Sequence, residues 1–428
     1  MMEQRLVVLL DGSVMGEVRR DGRNNLSFAY DIDWKADPGA IPLSLSLPTS
    51  RAAHVGDPIE SFIWGLLPDN ELVLERWARN FQVSARNPFG LIASVGEDCA
   101  GAAQFVRPER LGELLAGPQQ PVQWLTEVQI AERLRALRED QAAWRLPRDI
   151  GQFSLAGAQA KTALLFQHGR WGVPSGRMPT THILKPQSPE FDGHAENEHF
   201  CLTLARALGL PAPQSNVQRF GHQVAIVVER YDRAMLEDGH IARVHQEDMC
   251  QALGVMPTSK YQSDGGPRPA DIAKLLRENS SAPQEDVDTF ADALVFNWLI
   301  GGTDAHAKNY SVLHGSEGQL RLAPLYDLAS ALPYEQVDQR KLKLAMRMGR
   351  EYLLENVGLR QWQRVEGDLG MPAGSLVRRA RRLTQSMMHE LPAVVEYMRR
   401  GGLNHRIIGK LAHALQKRAV KCAGVLAG

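Results

Sequence analysis

Ile300-Gly301-Gly302-Thr303-Asp304-Ala305-His306-Ala307-Lys308-Asn309, followed by Leu325-Tyr326-Asp327-Leu328, is the stretch on which the fold turns. Upstream of it, Asp286 to Ile300 reads as a helix, because Val287, Phe290, Leu294 and Trp298 recur at three- and four-residue steps. Asp286 or Asp288 is suited to serve its N-terminus, and Gly301-Gly302 to stop it. Downstream, Tyr310 to Leu313, a turn at His314 to Gly318, and Leu320-Arg321-Leu322 read as a hairpin. The polar loop then lies on one side of that hairpin and Asp327 on the other. Taken singly, Asp304 and Asn309 read as turn caps, the commonest use of Asp and Asn. Taken with Asp327 they match what phosphoryl transfer from a nucleotide needs. Asp304 would orient the attacking hydroxyl as catalytic base, while Asn309 and Asp327 would hold Mg2+ on the phosphates.

Composition narrows the classes. The chain has 428 residues, 44% of them hydrophobic, with 49 basic and 49 acidic side chains. That balance gives no global field to recruit nucleic acid or a membrane, and the length suits two or three domains. No run approaches a membrane span, and Met1-Met2-Glu3-Gln4-Arg5 does not read as a signal peptide. Cys99, Cys201, Cys250 and Cys422 lack CxxC spacing, which speaks for isolated thiols in a reducing, cytoplasmic setting rather than zinc or disulfides.

Taken in order, the chain opens β-rich. Arg5 to Leu10 and Leu26 to Tyr30 read as strands, and Phe62 to Phe81 turns helical, interrupted by Trp64 to Asn70. Nothing there suggests catalysis. Residues 107–147 read as a proline-marked linker (Pro108, Pro118, Pro121) followed by a helix from Thr126 to Arg138. Phe153 to Thr162 ends in Lys161-Thr162, which invites a P-loop reading. The Walker spacing would need glycines at Leu155 and Ala160, and the residues after Thr162 read as strand, turn, strand where a P-loop opens a helix. The loop Ala156-Gly157-Ala158-Gln159 reads either as a plain hairpin tip or as a phosphate cover of the protein-kinase kind. Lys185 ends a strand from Thr181, where a kinase sets a lysine against the phosphates; an exposed edge lysine is the ordinary alternative. Val224 to Asp232 reads as a buried strand at a kinase hinge position, with Asp232 as a turn residue. From 246 the expectation is mostly helix, including Glu247 to Leu253, and Lys260 to Gly266 is a polar loop without an evident role. Arg378 to Lys421 is rich in arginine and lysine, read as a solvated helix face or, more sharply, as a surface for an anionic partner such as DNA.

With these motifs in order, the sequence resembles the HipA family, bacterial serine/threonine kinase toxins of HipBA toxin–antitoxin modules. The resemblance rests on Ser27 to Asp31, Pro42 to Pro48, Leu66 to Asn70 and Asp98 to Ala102 in the first part. It continues through Ser154 to Thr162, Thr180 to Lys185, Val228 to Arg233, Gln246 to Gln251, Lys260 to Gly266 and both loops of the opening. It implies an α+β, two-lobed kinase-like fold: a β-rich N-terminal domain at 1–110, linker and helix at 111–147, a nucleotide-binding core at 148–245 and a helical C-terminal lobe at 246–428. It implies ATP on Lys185 and the Ala156, Gly157, Ala158 and Gln159 backbone, with Glu229 and Tyr231 at the adenine hinge and Gln246 and Asp248 close by. His306 and Lys308 would assist Asp304, and Ser154 would be autophosphorylated. The implied partners are an aminoacyl-tRNA synthetase substrate (glutamyl-tRNA synthetase in the best-known branch), a HipB-like helix-turn-helix antitoxin, and operator DNA through it. Ala305 and Ala160 depart from the family pattern without removing a metal ligand. The competing readings are an inactive kinase-fold co-repressor and a kinase for another substrate.

Overall fold

The computed structural model describes residues 3–116, 122–140, 142–143 and 153–427. Pro118 and Pro121 of the expected linker, and the expected boundary at 147/148, lie outside them.

The first part is a five-stranded antiparallel sheet in the order Ala53–Val55, Leu26–Tyr30, Ser13–Arg20, Gln4–Leu10, Ala103–Val106. Alternation explains how Gln4–Leu10 is buried on both faces. Leu6, Val8 and Leu10 join Phe28, Phe62 and Ile92, while Val7 and Leu9 meet Leu114. Leu114 belongs to the helix Pro108–Leu115, so Pro108 starts a helix of this domain rather than a linker. The helical run expected from Phe62 to Phe81 is two helices, Asp57–Leu66 and Glu71–Phe81. Pro68-Asp69 separates them, and the Asn70 side chain caps the second by accepting from the Leu72 N–H at 2.9 Å.

A second sheet carries the order Ser215–Phe220, Gln223–Glu229, His182–Pro186, Thr162–Gln167, Arg170–Val173, Gln123–Leu125. The stretch expected as linker and helix thus supplies an edge strand and a helix, Glu127–Glu139, which lays Ile130 and Leu134 on Leu164, Leu184 and Val227. The other face packs Ile226 and Val228 on the helix His194–Ala207. Thr162–Gln167 and Arg170–Val173 bear out strand, turn, strand after Lys161. The preceding loop is not a hairpin tip, however. Phe153 pairs with Asp98 and Gly157 with Pro68, both in the first domain.

The rest is mostly helical, with a three-stranded sheet at its entrance and a two-stranded one, Lys343–Met348 with Glu351–Leu353, farther along. His245–Asp248 pairs with Ser311–His314, which pairs with Leu320–Leu322. The helix expected from Glu247 therefore shrinks to Met249–Ala252, with Asp248 as its cap. The central helix Pro283–Ile300 is buried along almost its whole length. Pro283 opens it, not Asp286 or Asp288. Asp286 instead accepts from the Ser280 hydroxyl and the Leu322 N–H, and Asp288 accepts from Arg379. Gly301 ends the helix at φ +65°, where a Cβ would lie 2.8 Å from Leu332. Helices Leu359–Asp368, Ser375–Arg400 and Arg406–Ala427 complete the lobe. Much of the basic run is spent within the fold. Arg379 pairs with Asp292 at 2.6 Å, Arg406 with Asp192 and Lys421 with Glu355, while Arg381 and Arg418 donate to the Leu426 and Trp298 carbonyls.

All four cysteines are buried free thiols. Among the described residues no helix is long and apolar enough to cross a membrane.

Candidate active site

Between the sheets and the helical lobe lies a cavity of about 520 Å³. Every residue singled out from the sequence lines it except Ser154: Ala156 to Gln159, Lys185, Glu229, Tyr231, Gln246, Asp248, Asp304, His306, Lys308, Asn309 and Asp327.

Strand periodicity aims the lysine. In His182–Pro186, Leu184 turns to the helix Glu127–Glu139, so Ile183 and Lys185 must face the cavity. Lys185 is buried there between two carboxylates, donating to Glu198 at 2.7 Å and to Asp327. Burial opposes its charge, but Asp327 and Glu198 outweigh burial and hold its pKa above the ordinary lysine value. The same balance keeps the Asp327 carboxyl ionised, well below the usual carboxylate range, with Lys185 and Lys161 overcoming burial. Asp327 sits at φ +53°, a left-handed conformation that Asp tolerates better than most residues.

The loop after Gly302 folds on itself. The Asp304 carbonyl accepts from the His306 N–H and from the Asn309 side-chain N–H, both at 2.8 Å. With that nitrogen spent, Asn309 has its amide oxygen to offer a cation. The Asp304 side chain is 72% exposed, facing the mouth of the cleft, and accepts from the Tyr261 hydroxyl at 2.5 Å. His306 lies 4.0 Å from Asp304 and edge-on to Tyr261; burial holds its pKa down to about 4, so it is neutral. Lys308 is buried against Asp69 at 2.6 Å. Burial works against its charge, yet Asp69 and Asp248 raise its pKa above the ordinary value.

Around the loop of small residues, Gly157 adopts φ +100°, and a Cβ there would lie 2.6 Å from the Lys161 ammonium. Lys161 donates to the Ala156 carbonyl at 2.6 Å, and burial lowers its pKa to about 8. Ser154 is fully buried, its hydroxyl donating to the Leu66 carbonyl at 2.7 Å. At the hinge, Tyr231 stacks on Tyr326 at 5.6 Å and bonds Gln246. Glu229 is exposed at the rim. Asp232, expected as a turn residue, is buried between Arg230 and Arg233. Burial raises the Asp248 carboxyl to about 6.

Sequence reasoning missed Asp69, Lys260 and Tyr261. Asp69 accepts from Lys260 at 2.7 Å and from Lys308, while the next residue after Lys260, Tyr261, holds Asp304. The local signals, an interrupted helical run at Trp64 to Asn70 and a polar loop at Lys260 to Gly266, named no role for any of the three.

A small antiparallel lobe carrying a paired lysine, a hinge strand, and a helical lobe offering Asp304, Asn309 and Asp327 together define the two-lobed, kinase-like class. The family model described as the HipA N-terminal domain matches residues 6–106, and that described as the HipA-like C-terminal domain matches 153–395. The chain belongs to the HipA family. It is 37% identical over 412 residues to Y4mE of Sinorhizobium fredii, a protein named as a putative kinase, covering 94% of this chain and 95% of that one. It is 30% identical over 396 residues to the serine/threonine-protein kinase toxin HipA of Shewanella oneidensis, covering 87% and 86%. The fold matches a chain in the Shewanella oneidensis MR-1 complex of HipA, HipB and operator DNA with a TM-score of 0.85 at 24% identity, covering 99% and 98%.

Proposed function

We propose that this chain is an ATP- and Mg2+-dependent serine/threonine protein kinase and the toxin of a type II toxin–antitoxin module, acting in the cytoplasm. The observation that carries the reading is the meeting of Lys185 with Asp304, Asn309 and Asp327, more than a hundred residues further along the chain, around one cavity. Asp304 accepts the proton of the substrate hydroxyl; the oxygen so freed bonds the γ-phosphorus as the bond to the ADP oxygen breaks. Lys185 steadies the phosphates by charge, and the Ala156–Gln159 backbone covers them. Glu229 and Tyr231 border the adenine, with Gln246 and Asp248 beside it. His306, being neutral, serves as a hydrogen-bonding neighbour of Asp304, and Lys308 braces the loop.

The donor set suits magnesium, which takes one or two protein oxygens and completes its shell with phosphate and water. Asn309 and Asp327 would hold it, and among the described residues no cluster of three His, Cys, Asp or Glu offers a site for a different metal. When bound, it would neutralise charge on the phosphates. Autophosphorylation on Ser154 requires the loop to leave first, since its hydroxyl is buried on Leu66. A phosphate there could not return to that site, which makes it an off switch. By likeness to its relatives, the chain would be held by a HipB-like helix-turn-helix antitoxin on operator DNA. It would phosphorylate an aminoacyl-tRNA synthetase, glutamyl-tRNA synthetase first among candidates.

Mass spectrometry after incubation with ATP and magnesium tests the reading, wild type beside Asp304→Asn and Asp327→Asn. Phosphate on Ser154 in wild type alone is expected. Phosphate on all three would overturn the site, and phosphate on none, with nucleotide bound, would favour an inactive co-repressor.

A further inference from the structure

The turn between helices Asp57–Leu66 and Glu71–Phe81 belongs to the N-terminal domain, yet its side chain works in the other lobe. One Asp69 oxygen accepts from Lys308 at 2.6 Å and the other from Lys260 at 2.7 Å. Both lysines come from the helical lobe, and the loops that carry them touch directly, the Ala307 N–H donating to the Lys260 carbonyl at 3.2 Å. Lys308 lies between His306 and Asn309, and Lys260 precedes the tyrosine that holds Asp304. Asp69 does no capping work, since Asn70 has that task. Its own N–H donates to the Gly157 carbonyl at 3.1 Å, in the loop that would cover the phosphates. A largely buried carboxylate meeting two ammonium groups ties three chain segments together, because a member that leaves strands its partners' charge in a site mostly shielded from water.

We propose that Asp69 is a positioning residue for phosphoryl transfer. In this reading the N-terminal domain lends the carboxylate that sets the Asp304 loop, and the same turn ties that loop to the phosphate cover. The inference rests on the kinase reading above. It implies that a loop-out state of 154–161 also slackens the catalytic loop, because both are held by one turn.

The test tracks phosphate incorporation into the chain by intact mass with Mg-ATP, and nucleotide affinity with a fluorescent ATP analogue. It compares wild type, Asp304→Asn, Asp69→Asn, Asp69→Glu and Lys260→Met. Asp69→Asn keeps the shape and the Gly157 bond but drops the charge. It is expected to lower kcat roughly 100-fold, the scale of a misplaced catalytic group, with the ATP KM and analogue affinity changed by no more than about twofold. Asp69→Glu should recover part of the rate, which a merely structural role would not predict. Lys260→Met removes one arm only and should lower kcat about tenfold, a smaller displacement of the same kind. Wild-type kcat in Asp69→Asn would overturn the proposal. Should that variant fail to melt cooperatively, wild-type kcat in Lys260→Met would overturn it instead. No phosphate on wild type, or equal phosphate on Asp304→Asn, would remove the kinase reading and this proposal with it.

Discussion

Lys185 stands between Glu198 and Asp327, so one ammonium answers two carboxylates at the centre of the cleft. In the proposed mechanism Asp327 would exchange that ammonium for a metal, and its charge is what the exchange would need. Asn is the informative replacement, because it tolerates φ +53° as Asp does and removes only the charge. In Asp327→Asn, the gain in ATP affinity on adding magnesium should vanish, a loss of roughly 10- to 100-fold for one charge-assisted contact. Calorimetry with magnesium and with EDTA measures it; a retained magnesium effect would remove Asp327 from the metal site. At this scale the sequence was readable where chemistry is local. Asp304 and Asn309 share one turn, and Asp327 lies one hairpin later. Asp69 and Tyr261 were unreadable, since their importance lies wholly in partners far along the chain.

The central helix forms where its apolar spacing places it, and one charge of the basic C-terminal run turns inward onto it. In Ser375–Arg400 the solvated face is there in Arg378, Arg382, Arg399 and Arg400, all exposed, but Arg379 reaches back to Asp288 and Asp292 on the central helix. The carboxylates expected to serve that helix's start are thus partly occupied in tying two helices together. Arg379→Met should cost about 2 kcal/mol in urea unfolding, less than a fully buried pair because the arginine is partly exposed. A change near zero would show Asp292 content without its partner. Another misreading at this scale was Glu247-Asp248, expected to open a helix. Its residues suit a helix, but pairing with Ser311–His314 decides for strand, and such pairing has no trace in a single segment.

Over the whole molecule, burial makes several histidines poor bases. His182, His199 and His306 are held down to about 4 and His245 to about 3, from an ordinary value of 6.5. Each folded pKa lies below its unfolded one, so as pH falls the unfolded chain binds protons first. Stability is therefore full above about 6.5 and drains away as pH falls, through the window down to about 4 (about 3 for His245), by up to about 2 kcal/mol per histidine at pH 5. Denaturant titrations at pH 7.5 and 5 should show this fall, and His199→Gln should flatten it; an unchanged slope in that variant would clear His199 of the effect. His245 joins two parts of the chain in its neutral form, donating from Nε2 to the Leu43 carbonyl while Nδ1 accepts from the Ala102 N–H. The overall architecture was legible through the ordered run of motifs, whereas the seam between domains was not, because it is built of single contacts scattered along the chain.

That seam has a consequence for how the protein is born. Asp98 is buried in the first domain, and its charge is met by Arg233, Arg243 and Arg230 and by Thr180. During synthesis the carboxylate emerges well before any of those partners, and the gap to Arg243 is on the order of ten seconds of translation. Through that interval the carboxylate has none of these partners, so burying it would carry the full cost of an unpaired charge. Docking of the domain, and with it delivery of Asp69 to the cleft, awaits the hinge. A chain truncated before residue 230 lacks Asp304, Asn309 and Asp327 as well as the arginines that meet Asp98, so it carries no complete cleft.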